Sequence, residues 1–291
     1  MKIVASISIL LLSFISANAD ISKKQARQSV ATSIGMSLPL SAVRIDRISS
    51  TSDSSAEVSA QLELVFRLER DEINQWRLRE LRTADARWEN VDLLVQALKL
   101  ELQQGKCEAP KNEFGRVKAQ DLSIKQARCL VANLFGVELP SDAVRIKELS
   151  GLGLGSEPSA LAITLVQADF RLAREAGSWR AVEIRSGARG WLALNSVMSD
   201  VENHKREMTT EQLNVIATAL DNFRRERGSF VISDKHSVLI DNLTPHYLSR
   251  VLRLDAWHRP FQYQGETNHF SLRSLGPDGK ENTPDDIVVT R

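Results

Sequence analysis

The sequence lacks an excess of either charge, and this limits what it can bind through bulk electrostatics. Its 291 residues include 38 basic and 37 acidic side chains, which leaves a net charge of +1. A nucleic-acid-binding domain carries a basic footprint, and so does a protein that attracts acidic substrates. We therefore expect no nucleic-acid partner. The content of 42% hydrophobic and 26% charged residues is that of folded domains.

Histidine is scarce, and this weakens the case for an enzyme or a zinc protein. The five histidines are His204, His236, His246, His258 and His269. They do not show the paired ligand spacing of a zinc site. The sequence also contains no His-Glu-x-x-His motif and no Ser/His/Asp signature. We therefore expect a protein that is not an enzyme.

Cysteine is equally scarce, with only Cys107 and Cys129 present. In an oxidising compartment the two could form a disulfide, which the chain-entropy model values at roughly 3 kcal/mol. Alternatively, Cys129 is a buried helix residue and Cys107 is a free thiol in a linker. The sequence leaves both interpretations open.

Long hydrophobic runs are missing after the N-terminus, so no transmembrane segment is predicted in the mature chain. The N-terminus itself reads MKIVASISILLLSFISANAD. A lysine, a short apolar core and a small-x-small cleavage pattern at residues 17–19 are typical of a signal peptide. Residues 1–19 are therefore predicted to be removed, and the protein is predicted to be periplasmic or secreted.

An internal repeat is the main feature of the remaining sequence. SKKQARQSVATSIGMSLPLSAVRI, starting at Ser22, recurs as SIKQARCLVANLFGVELPSDAVRI, starting at Ser123. A Trp-Arg-x-x-Glu-(Leu/Ile)-Arg motif likewise occurs at Trp76 and at Trp179. Repeats of this length indicate a duplicated structural unit. We recognise no family for this unit.

Each copy predicts a helix, an antiparallel sheet and a second helix. Ser22 and Ser123 precede a glutamine at the capping-box spacing, and a glycine and a proline end each helical pattern. Alternating apolar residues at 62–68 predict a half-buried strand. We predict an α+β protein with modules at residues 20–102 and 121–202, joined by a linker at 103–120. A third domain is predicted at 203–291.

Glycine-rich and acidic stretches in these modules have simple interpretations. GLGLGSEP, at residues 151–158, lacks the lysine and the glycine spacing of a phosphate-binding loop. Glu80 and Glu183 each lie between arginines in a predicted strand. Such glutamates are typically ion-paired surface residues rather than acid catalysts.

The C-terminal domain begins with a predicted amphipathic helix. Thr209 and Gln212 have the spacing of a capping box, an apolar stripe follows, and Gly228 marks the end of the pattern. Two short antiparallel strands are predicted after it, on either side of a turn at Gly265.

The segments ALDNFRRERGSF, LDAWHRPFQY and FSLRSLGPDGKENTPDDI follow one another in this domain. Their order resembles the soluble domain of the major pseudopilin of the type II secretion system, over about residues 209–287. The resemblance implies a helix packed on a small antiparallel sheet. This sequence departs from the family at Ala256, which replaces a proline, and at His258 and Arg259, which replace Gly-Asn.

The resemblance also implies a calcium ion in the last loop. The implied side-chain ligands are Asp278 and Asp285, with Asp286 adjacent, and the implied carbonyl ligands are Leu275, Lys280 and Thr283. Calcium prefers such a mixture of carboxylate and carbonyl oxygens. The alternative is a solvated turn in which the aspartates face water.

Together these features predict an exported, non-catalytic protein whose calcium-stabilised, pseudopilin-like domain serves protein interaction in the envelope or outside the cell. The long hydrophobic assembly helix of a pseudopilin does not precede this domain, so we expect that the protein does not polymerise as a pseudopilus subunit. Association with the secretion apparatus rests on analogy of fold. The alternative is a secreted hydrolase with an unrecognised site in the repeated modules.

Overall fold

The computed structural model of the protein describes residues 21–71, 73–98, 100, 107, 122–150 and 158–291. The predicted signal peptide lies outside these residues. So do the predicted linker, apart from residue 107, and most of the glycine-rich loop.

The described residues form the α+β fold that the sequence predicts. The helices are Lys23–Ala31 (α1), Val91–Ala97 (α2), Ile124–Phe135 (α3), Leu194–Arg227 (α4) and His236–Leu243 (α5). The strands of a large sheet are Val43–Ser52 (β1), Ser55–Arg70 (β2), Trp76–Ala84 (β3), Arg87–Asn90 (β4), Val144–Ser150 (β5), Ser159–Glu175 (β6), Ser178–Arg185 (β7) and Leu192–Ala193 (β8). A small sheet contains Gln262–Gly265 (β9), Phe270–Ser274 (β10) and Ile287–Thr290 (β11).

The ends of the repeated helices follow from local side-chain chemistry. Ser22 and Gln25 form the reciprocal capping box predicted for α1. Ser123 accepts a hydrogen bond from the Gln126 amide at the start of α3. Gly136 then ends α3 in the left-handed conformation, at φ 64°.

Two long strands, β2 and β6, form the centre of the large sheet. They pair antiparallel from Ser55 opposite Ala173 to Glu69 opposite Ser159. Residues of β2 are alternately buried and partly exposed, as the apolar alternation predicts. Strands β1 and β3 both pair with β2, while β5 and β7 both pair with β6. The long strands are thus flanked on each outer side by two shorter strands.

The two repeated segments share one sheet and one hydrophobic core. That core contains side chains of both halves, such as Phe66 and Phe170, which are fully buried. Helix α1 of the first half packs on β7 of the second, where Ser29 Oγ donates to the Trp179 carbonyl at 2.8 Å. The duplication stays a prediction, but its two halves are not separate bodies, because β2 and β6 each complete the sheet of the other.

Helix α4 overturns one sequence prediction. Its 34 residues run without interruption from Leu194 to Arg227, so Thr209 is not an N-cap. Thr209 is fully buried inside the helix, and its Oγ1 accepts a hydrogen bond from the Ala256 amide at 3.2 Å. Tertiary contact therefore explains the threonine that the spacing attributed to a capping box. The boundary predicted between residues 202 and 203 also falls inside this helix.

The C-terminal region has a hydrophobic core of its own. Leu213, Ile216 and Leu220 of α4 pack with Phe270 and Leu272 of β10. The helix ends at Gly228, as predicted, at φ 84°. Strand β10 lies between β9 and β11, which gives the predicted helix and small antiparallel sheet.

The two cysteines are joined in the structure. Cys107 and Cys129 form a disulfide, with their Cα atoms 5.6 Å apart. Of the two interpretations that the sequence left open, the structure contains the paired one.

Candidate functional site

The loop at residues 275–286 connects β10 to β11, whose ends pair at Ser274 and Ile287. The hairpin thus holds both ends of the loop at one edge of the small sheet. Gly276 is required where the loop turns back, because it has φ 58° and a Cβ there would collide with the Asp285 carbonyl. The six residues implied as calcium ligands all lie in this loop.

Three of these residues converge on the hydroxyl of a fourth, Thr283. Its Oγ1 lies 3.4 Å from Asp278 Oδ1, 3.4 Å from Asp286 Oδ1 and 3.1 Å from the Lys280 carbonyl oxygen. The Asp278 carboxylate also accepts a hydrogen bond from the Lys280 amide at 2.7 Å. Two carboxylate oxygens and one carbonyl oxygen therefore lie around the Thr283 hydroxyl, and calcium takes oxygen ligands of these kinds.

The remaining predicted ligands are engaged in hydrogen bonds within the loop, as is the Thr283 carbonyl, which accepts from the Asp286 amide at 3.2 Å. Asp285 Oδ2 accepts from the Asp278 amide at 3.1 Å, and the Leu275 carbonyl accepts from the Gly279 amide at 3.2 Å. Hydrogen bonds from the Thr283 side chain and from the Asp278 backbone amide lower the pKa of Asp285. The loop thus favours a charged carboxylate at Asp285.

The acidic side chains do not make a metal centre alone. Within the part of the chain that the structure describes, no three His, Cys, Asp or Glu side chains gather closely enough to hold a metal ion. Arg273 also lies beside Asp286, with Nη1 3.6 Å from Oδ2. An ion in this loop would therefore need the backbone carbonyl oxygens among its ligands.

A buried aspartate supports the loop from the turn before β9. Asp255 is 3% exposed and accepts hydrogen bonds from the amides of Trp257 and Arg259, both at 2.9 Å. Its second oxygen accepts from Ser274 Oγ at 2.6 Å. Arg259 donates to the carbonyls of Gly276 and Pro277. Asp255 and Arg259 belong to the LDAWHRPF segment that the sequence analysis singled out. Only the fold shows that this segment supports the last loop through hydrogen bonds.

Residues 196–290 match the family model for protein G of the type II secretion system. The match covers the helix, the small sheet and the loop described above. No curated protein and no solved structure matches the chain. Within the described residues, no helix is both long enough and apolar enough to cross a membrane.

The protein G-like region is attached to the large sheet by a buried ion pair. Lys205 of α4 lies 2.6 Å from Glu89 of β4, and both side chains are about 95% buried, with exposures of 5% and 6%. Glu202, one turn earlier in α4, accepts a hydrogen bond from Trp257 Nε1 at 2.8 Å. Helix α4 is thus fixed to the last strand of the first half and to the turn of its own region.

A second contact links the same turn to the sheet. His258 Nε2 lies 3.1 Å from Glu80 Oε1 of β3. The hydrogen bond that His258 donates to Glu80 raises the pKa of His258, although burial lowers it, and the charge of Glu89 also raises it. The same bond lowers the pKa of Glu80. Both groups are therefore stabilised in their charged forms.

The departures from the pseudopilin pattern now have a structural role. His258 has φ 61°, so it keeps the left-handed conformation that a glycine would adopt. Because it has a side chain, it reaches Glu80 on the large sheet. One of the positions that differ from the family thus contacts the large sheet. We call three contacts the clamp: Glu89–Lys205 and Glu80–His258, which join the protein G-like region to the large sheet, and Glu202–Trp257, which fixes α4 to the turn that carries His258.

Proposed function

We propose that this protein is an exported, non-catalytic interaction protein of the type II secretion pathway that carries a protein G-like region as a fixed part of a larger body. The observation that carries the proposal is the clamp. Lys205 and Glu89 are both buried at the junction between α4 and the large sheet, and separation would leave each charge without its partner.

The burial of α4 argues against a role as a filament subunit. The first half of the helix packs against α2 and buries Leu194, Val201, Lys205 and Thr209. Those side chains are therefore unavailable for helix packing between copies. The large sheet accompanies the helix and would have to fit within any such assembly. A fixed platform that presents the protein G-like region to another protein is the simpler role.

We further propose that calcium binds the loop at residues 275–286. The support is the convergence of Asp278, Asp286 and the Lys280 carbonyl on Thr283. Calcium would cross-link the loop oxygens and hold β11 in its pairing with β10. A periplasmic or secreted protein would meet enough calcium to fill even a weak site of the extracellular type.

Thermal unfolding of the whole protein tests the calcium proposal. The whole protein is used because α4 packs both beside the large sheet and in the core of the protein G-like region. Calcium at a hundred times its Kd should stabilise the folded state by about 2.7 kcal/mol relative to chelator, and magnesium should do so less. Asp278→Ala and Asp286→Ala should abolish the shift. Asp234→Ala, at an exposed position outside the loop, should retain it. A midpoint that calcium leaves unchanged would refute the site.

Cross-linking in the native cell tests the interaction proposal separately. We expect cross-links from exposed lysines of this protein to components of the type II secretion apparatus. Electron microscopy of the purified protein should show no filaments at concentrations where a pilus subunit assembles. Filaments, or cross-links confined to proteins outside the secretion pathway, would contradict the proposed role.

A further inference from the structure

Glu80, the residue of the clamp that binds His258, belongs to a small cluster of side chains. A cluster of the same residue types occurs in the other half of the large sheet. In the first half, Arg67 of β2 forms an ion pair with Glu80 Oε2 of β3. The Arg67 guanidinium lies over the Trp88 ring, 4.4 Å from its centre. The other oxygen of Glu80, Oε1, accepts the hydrogen bond of His258 from the protein G-like region. We call Arg67, Glu80 and Trp88 the covered cluster.

The second half contains the same three residue types in nearly the same geometry. Arg171 Nη1 of β6 lies 3.0 Å from Glu183 Oε2 of β7, and the Arg171 guanidinium lies 4.2 Å from the centre of the Trp191 ring. We call Arg171, Glu183 and Trp191 the open cluster. The predicted ion pairing of both repeated glutamates is thus confirmed.

The two clusters differ in what lies on top of them. Glu80 is 17% exposed beneath His258, whereas Glu183 is 32% exposed. Among the described residues, Glu183 Oε1 makes no contact of the kind that Glu80 Oε1 makes with His258. The open cluster therefore presents to solvent the acceptor that the covered cluster uses to hold a turn.

We propose that the open cluster is a docking surface for a partner protein, and that the partner inserts a turn carrying a protonated histidine or another cationic side chain onto Glu183. This inference rests on the proposed interaction role and extends it to a second surface, in the second half of the large sheet. The covered cluster supplies the precedent for the occupant, because it shows which chemistry satisfies this arrangement of arginine, glutamate and tryptophan.

The open cluster belongs to a wider network of ion pairs. Arg171 also contacts Glu57, at 3.0 Å, and Arg185 pairs with Asp169 at 2.8 Å while lying over the same Trp191 ring. Arg47 lies beside Asp169 as well, so three guanidinium groups accompany the three carboxylates. The case for a cationic occupant therefore rests on the uncovered Glu183 Oε1, because the matching oxygen of Glu80 is the one that binds His258.

A cyclised peptide with the sequence of residues 253–261 is a direct probe. In the protein this segment is a closed turn, since Leu254 and Pro260 bridge its ends, and it carries His258 at its tip. Titration of the isotope-labelled whole protein, followed by NMR, should shift the signals of Glu183, Arg185 and the Trp191 indole. Glu183→Gln should weaken binding of the peptide at least tenfold at pH 6.

Two controls separate this surface from the covered cluster and from misfolding. Glu80→Gln leaves the open cluster intact and should change the Kd of the peptide less than twofold. A peptide with alanine in place of the histidine should bind at least tenfold more weakly to the unaltered protein, where folding is not in question. Binding that survives Glu183→Gln, shifts confined to the covered cluster, or no binding at all would overturn the proposal.

Sedimentation of the protein without peptide tests the other occupant, a second copy of this chain. We expect the same monomeric or oligomeric state for the unaltered protein and for Glu183→Gln. Self-association that Glu183→Gln abolishes would assign the surface to a homodimer and overturn the assignment to a partner protein.

Discussion

Replacing Lys205 by methionine should weaken the attachment of the protein G-like region to the large sheet. The substitution keeps the length of the side chain and its helix propensity, so α4 should remain intact. It removes the cation that lies 2.6 Å from Glu89, whose side chain is 6% exposed. A charged carboxylate is then left buried without its closest partner.

The expected loss of stability is large for a single substitution. Removal of one partner of a buried ion pair costs about 3–5 kcal/mol. In a protein of this size each kcal/mol lowers the melting temperature by roughly 2–4 °C, so Lys205→Met should lower it by about 10 °C. The double variant Glu89→Met with Lys205→Met should recover most of the loss, since two apolar side chains can replace a buried pair without net cost.

Circular dichroism during heating and during urea unfolding would measure these effects. Arg225→Met is the matched control, because Arg225 is an exposed cation in the same helix, and we expect it to change stability by less than about 0.5 kcal/mol. If Lys205→Met behaved like Arg225→Met, the pair would be hydrated and the clamp would not rest on it. A double variant as unstable as the single one would show that the loss comes from packing.

Three further predictions concern the same scaffold. The pKa of His258 is raised and that of Glu80 is lowered, so their contact should stabilise the protein fully between pH 4.5 and pH 6.5, the ordinary pKa values of the two groups. This contribution should fade as the pH rises through the pKa of His258, or falls through that of Glu80. His258→Asn should therefore cost about 1 kcal/mol at pH 6 and nothing at pH 9, and an equal loss at both values would exclude the ion pair. A thiol count on the denatured, unreduced protein should find neither Cys107 nor Cys129 free, and two free thiols would contradict the disulfide. Asp255→Asn should lower the free energy of unfolding by about 2 kcal/mol, because the buried carboxylate accepts three hydrogen bonds; an unchanged urea midpoint would remove it from the support of the loop.

Prediction from sequence succeeded where the signal is local. The capping box at Ser22, the left-handed end at Gly136 and the alternation along β2 depend on neighbours in the chain, and the structure confirms each. The capping box at Thr209 was wrong, because a buried threonine inside a helix and an N-cap threonine share the same short-range pattern. Only the contact with Ala256 distinguishes them.

The candidate site divides in the same way. The aspartates of the last loop could be selected as candidates from sequence, since their spacing and the flanking glycines are visible in one segment, and their role as calcium ligands stays a prediction. The clamp could not, because Glu80 and Glu89 lie more than a hundred residues before His258 and Lys205 in the sequence. No periodicity links residues at that distance.

The sequence by itself determined the α+β class, the start of each repeated helix and the end of α4 at Gly228. These follow from capping, alternation and turn chemistry, which act over a few residues. The tertiary structure alone decided that β2 and β6 unite two repeats in one sheet, that α4 runs through an expected domain boundary, and that His258 and Lys205 lock the last region to the first. Those outcomes depend on which surfaces bury one another, and the pairing of distant surfaces is fixed by the packing of the whole chain.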